Sequence, residues 1–117
     1  MTPDDLNRAI AEKLGWTEME PCSCYSVPPK MQGLDPFNKS PFKVHVPNFC
    51  TDPAMTVMLM EKLIRDGYKP FFIDLGVQDN IRLITGSPDG KGNHVDAPLG
   101  LAVAEAFARA NGIYQEG

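Results

Sequence analysis

The chain has 117 residues, 43% of them hydrophobic, with 11 Lys plus Arg against 15 Asp plus Glu for a formal net charge of −4. That length suits one domain over residues 1–117 with its own core, and the acidic balance argues against non-specific DNA binding, which depends on neutralising phosphates. No apolar run reaches the roughly 18 residues of a membrane span, the acidic Met1-Thr2-Pro3-Asp4-Asp5 start is unlike a secretory signal, and three cysteines cannot all pair internally, so a cytoplasmic protein with free thiols is expected.

Residues 2–15 carry the marks of a helix. Thr2 suits the N-cap, Pro3 the first helical position, and Asp4 and Asp5 the positive end of the dipole. Leu6, Ile10 and Leu14 make one apolar stripe, and Gly15 suits the residue past the end. Residues 16–20 follow as a weakly alternating strand.

Seven of the eleven prolines fall between residues 21 and 53. Proline removes a backbone donor, so a long Pro-rich loop is expected over about 21–42, with one short strand at Lys43-Val44-His45-Val46. Tyr25, Phe37, Phe42 and Phe49 favour an ordered, packed path for it.

From residue 51 onward the pattern sharpens. Thr51 or Asp52 caps a helix that opens on Pro53 and stops at Gly67, with Met55, Leu59 and Leu63 inward and Val57, Met58 and Ile64 widening the stripe. Residues 70–75 and 81–85 read as a hairpin about the 76–80 turn. Symmetric closure of that turn sets Phe72 opposite Ile84 and Asp74 opposite Arg82, with large apolar groups on both faces. Residues 87–92 are a second turn and 93–97 a short strand, with His94 and Asp96 on one face and Val95 on the other. Pro98 opens a last helix to about Ala110, with Leu99, Val103 and Phe107 on one side and Gly112 as stop. The order α-β-loop-β-α-β-β-β-α implies an α+β domain: an antiparallel sheet with helices packed on both faces, an αβα sandwich.

Three segments resemble the small phage ABA-sandwich proteins. They are Leu6-Asn7-Arg8-Ala9-Ile10-Ala11-Glu12-Lys13-Leu14-Gly15-Trp16, then Val46-Pro47-Asn48-Phe49-Cys50-Thr51-Asp52, then Asp96-Ala97-Pro98-Leu99-Gly100-Leu101-Ala102. Cys50 stands where that pattern has Ser, and Cys22-Ser23-Cys24 lies outside it. Small phage proteins of this architecture include the anti-Thoeris sponges, which sequester cyclic ADP-ribose isomers uncleaved. The resemblance implies a small cyclic nucleotide ligand, a homo-oligomer from dimer to hexamer, no cofactor, and residence in the cytoplasm of an infected bacterium.

A sponge needs cations for a pyrophosphate, a flat surface for adenine and polar groups for ribose hydroxyls. Of the four arginines, Arg82 and Arg109 are the candidates, because a guanidinium binds phosphate bidentately and stacks on bases. Asn93, His94 and Asp96 precede a helix start, where anions are favoured. Each has a plainer role: Arg82 pairing with Asp74, Arg109 facing a helix C-terminus, Asp96 as N-cap, Asn93 serving the turn, and Phe49 and Phe72 as core.

Two other chemistries compete. Cys22, Cys24, His45 and Cys50 have the donor types of a zinc site at unusual spacing, which would suit a metal-stabilised module inhibiting a host protein. Cys50 beside a histidine, or a carboxylate pair, would suit a minor hydrolase, yet no nucleophile signature or phosphate loop accompanies them. A non-enzyme is therefore expected.

Overall fold

In this computed structural model the described residues are 2–22, 31–37, 41–76, 80–86 and 92–113. Helix α1 (Pro3–Leu14) is followed by strands β1 (Thr17–Pro21), β2 (Met31–Leu34) and β3 (Val44–His45). Then come helix α2 (Pro53–Arg65), strands β4 (Lys69–Asp74), β5 (Asn80–Gly86) and β6 (Gly92–Pro98), and helix α3 (Leu99–Ala110).

The helix ends follow from local chemistry. The Asp5 amide donates to Thr2 Oγ1 at 3.2 Å, and the Ala54 amide donates to Asp52 Oδ1 at 3.0 Å, so Thr2 and Asp52 are the N-caps. Gly15 takes φ 106° and closes α1, with the Trp16 amide donating to Ala11 O at 3.0 Å. At the start of α3 the N-cap is Pro98, with no side-chain cap. The capping role expected of Asp96 does not occur, because its carboxylate is held by Arg82.

The α+β class with antiparallel pairing is the architecture found. The strands divide into two three-stranded sheets, β1-β2-β3 and β4-β5-β6. The first includes β2, inside the stretch expected to be loop; much of the rest of that stretch, 23–30 and 38–40, lies outside the described residues. Lys43 Nζ meets Glu20 Oε1 at 2.9 Å across this sheet, and Gln32 Nε2 donates to the same oxygen at 3.0 Å.

In the second sheet, Phe72 lies opposite Leu83, Phe71 opposite Ile84, and Ile73 opposite Arg82. This is one residue away from the symmetric closure expected from sequence. The pairing runs on to Leu75 and Asn80, whose carbonyl accepts from the Leu75 amide at 3.3 Å, leaving a four-residue connection. Asp74 bends into its own turn by accepting the Gly76 amide at 2.8 Å, and Gly76 takes φ 68°. A one-residue shift exchanges which faces meet.

Leu83, Thr85, Val95 and Ala97 are buried beneath the helices. α3 is the central helix, packing on α1, α2, β5 and β6, while α2 packs on β4. Leu6, Ile10, Phe49, Leu59, Leu63, Leu83 and Val103 are the large, fully enclosed core side chains. The opposite face of β4-β5-β6 is open. It presents Phe71, Ile73, Arg82, His94 and Asp96 to solvent. Phe72, expected in the core, is 42% exposed because β4 is an edge strand. Val57 and Ile64, expected to widen the inner stripe of α2, are also exposed. No helix among the described residues is long and apolar enough to cross a membrane.

The 46–52 element is a docked turn. Asn7 donates through Nδ2 to Pro47 O at 2.9 Å and accepts the Phe49 amide at Oδ1. This fixes Phe49 in the core and Asp52 at the head of α2.

Candidate functional site

The residues singled out from sequence separate into four places. Arg82, His94 and Asp96 share the open face of the second sheet. Arg82 Nε donates to Asp96 Oδ1 at 2.8 Å and Nη2 to Oδ2 at 3.0 Å. The partner is therefore Asp96, and the cross-hairpin pair with Asp74 does not form, since Ile73 stands opposite Arg82. The bond to Arg82 holds the Asp96 carboxyl below the usual carboxylate range, with a smaller contribution from His94. Three guanidinium N–H groups remain beyond those two bonds. Asn93 pairs with Thr85 in the register of β6, and its side chain lies outside the described residues.

Arg109 stands in the last turn of α3, on the helix side of the sheet and not beside Arg82. Its neighbour one turn back is Glu105, whose carboxyl is raised by burial and drawn back by the Arg109 charge. One chain thus does not unite the two arginines in one site.

The cysteines divide likewise. Cys22 Sγ, just past the end of β1, and His45 Nε2 on β3 lie 3.2 Å apart, with β2 between the two strands in the sheet. Cys24 lies outside the described residues. Cys50 is buried in the core, and burial first, then the charges of Glu105 and Asp4, push its thiol up to about 11. A thiol so hard to ionise is a poor nucleophile and a poor metal ligand near neutral pH. Among the described residues no three His, Cys, Asp or Glu side chains gather as a metal site would require.

Sequence reasoning missed a fifth place. A cleft of about 170 Å³ opens where the C-terminal ends of all three helices meet, lined by Lys13, Leu14, Lys62, Arg65, Asp66, Phe107 and Asn111. Lys62 Nζ also sits 5.9 Å from the ring centre of Phe37, which is 61% exposed. Each helix C-terminus carries about −0.5 charge, roughly −1.5 for three. Three cations against Asp66 outweigh that, so the cleft stays slightly positive in a chain of net charge −4. The same cations serve as dipole partners, which is why each looks ordinary in the sequence. Asn111 donates through Nδ2 to Phe107 O at 2.8 Å, leaving its side-chain carbonyl for a donor.

No family model matches the chain, and no curated protein matches it. Among solved structures it is similar to a phage protein from Bacillus cereus ATCC 14579, with TM-score 0.64 and 16% identity, covering 99% of this chain and 93% of that one. At that identity the likeness shows the fold.

Proposed function

We propose that the chain is a non-enzymatic phage anti-defence sponge that holds an anionic cyclic nucleotide of the cyclic ADP-ribose type without cleaving it. The convergence of Lys13, Lys62 and Arg65 on one cleft beside the exposed ring of Phe37 carries this reading. It offers the three things such a ligand needs. The cations meet a pyrophosphate, the Phe37 ring offers a flat face to adenine, and Asn111 and Asp66 offer acceptors to ribose hydroxyls. At about 170 Å³ the cleft is smaller than the roughly 300–1,000 Å³ of a drug-sized site. It therefore takes the pyrophosphate, while the rest of the ring lies over its rim. The thiol of Cys50, pushed up to about 11, supplies no nucleophile to break the ligand.

Titration calorimetry with cyclic ADP-ribose isomers tests this against the double variant Lys62→Ala/Arg65→Ala. Saturable binding by the native chain and its loss in a folded variant support the cleft. Equal binding by both removes the cleft from the site.

A further inference from the structure

We infer that β4 is a dimerisation edge, pairing antiparallel with β4 of a second copy across a two-fold axis at Phe72. The inference stands on strand geometry alone and does not depend on the nucleotide reading.

β4 and β6 are the two edges of the second sheet, and they differ. β6 buries Val95 and Ala97 on one face and shows the polar His94 and Asp96 on the other, an ordinary solvated edge. β4 exposes large apolar groups on both faces: Phe71 at 60%, Phe72 at 42% and Ile73 at 40%. A regular apolar edge of this kind is a template for another strand.

The hydrogen-bond phase says which backbone groups are available. The Leu75 amide donates to Asn80 O, so the odd-numbered residues of β4 point their N–H and C=O groups at β5. Pro70, Phe72 and Asp74 therefore point theirs outward. Pro70, which has no N–H, costs the β4–β5 ladder nothing in that phase.

Pairing β4 with its own copy about Phe72 uses these groups in register. Phe72 exchanges both bonds with Phe72 of the second copy, and each Asp74 amide donates to the other Pro70 carbonyl, for four bonds in all. Phe71 then faces Ile73 of the second copy on the open face, and the two Phe72 rings meet on the helix face. Every exposed large side chain of β4 thus finds an apolar partner. Lys69 falls opposite Leu75 of the second copy and Asp74 opposite Pro70, so no like charges meet across the pair. Lys62 and Arg65 line the cleft with α1 and α3. Val57 and Ile64, seven residues apart and both exposed, lie on the other flank of α2, the helix that packs on β4.

The test is the solution mass of the full chain by sedimentation equilibrium. The native protein is expected at twice the 12.9 kDa chain mass. Phe72→Lys and Phe72→Glu, each checked for fold by circular dichroism, are expected to be single chains, since each sets like charges across the axis. Mixed in equal amounts they are expected to recover the two-chain mass. A native protein of single-chain mass at all concentrations overturns the proposal. So does a two-chain mass in either variant alone, or a mixture of folded variants that stays dissociated. Hydrogen exchange gives a second readout without substitution: the Phe72 and Asp74 amides should gain protection as protein concentration rises, and protection independent of concentration contradicts the pairing.

Discussion

Arg82 grips Asp96 across β5 and β6 through two parallel bonds of 2.8 and 3.0 Å on the open face of the second sheet. Both side chains are exposed, so the pair orients a guanidinium more than it stabilises the fold. The Asp96 carboxyl, held low by that bond, contributes stability at pH values above its unfolded pKa. The contribution fades as pH falls through the lowered folded value. A carboxyl titration followed by NMR should find Asp96 below the ordinary range, and Arg82→Ala should move it upward. An unmoved titration would detach Asp96 from Arg82.

Gly100 lies against the backbone of Cys50. A methyl group there would fall well inside van der Waals contact with the Cys50 carbonyl oxygen and 3.0 Å from its carbon. Backbone on both sides leaves little room to yield. Gly100→Ala should cost about 1–3 kcal/mol in denaturant unfolding despite the better helix propensity of alanine. A neutral or stabilising result would mean that the start of α3 and the Cys50 turn are not in contact.

Burial also sets the behaviour of Cys50. With its thiol pushed up to about 11 from an ordinary value near 9, the folded state favours the protonated form. That preference is fully present below pH 9 and is lost as pH climbs towards 11. Alkylation at pH 8 should label Cys22, which is half-exposed, well before Cys50. Equal rates would contradict the buried placement.

Leu59, on the inner face of α2, is fully enclosed in the core. Leu59→Ala should lower unfolding free energy by about 2–5 kcal/mol. The equivalent change at Val57, on the exposed flank of the same helix, should cost far less in the isolated chain, and similar losses at both would undo the assignment of faces.

The helix boundaries were legible because they rest on local chemistry: Thr2 and Asp52 as caps, Pro3 and Pro53 at first positions, Gly15 with its positive φ. The hairpin register was not, since either register leaves large apolar groups on both faces, and the difference lies in one residue of turn. β2 was hidden because Met31-Gln32-Gly33-Leu34 holds a glycine and no β-branched residue. Gly33 is there for packing: a Cβ would stand 2.9 Å from Met19 Cγ and 3.0 Å from Thr17 O. The Arg82–His94–Asp96 grouping came partly from sequence, through the shared face of His94 and Asp96. The cleft did not, because Lys13, Lys62 and Arg65 are distant in the chain and each has its own reason to end a helix.

The most direct measurement mixes the protein with a cyclic ADP-ribose isomer, follows the heat, then denatures the complex and assays the ligand released. A saturable heat and recovery of the ligand intact are the expected outcome. No heat at any accessible concentration, or recovery of an opened product, would contradict a sponge.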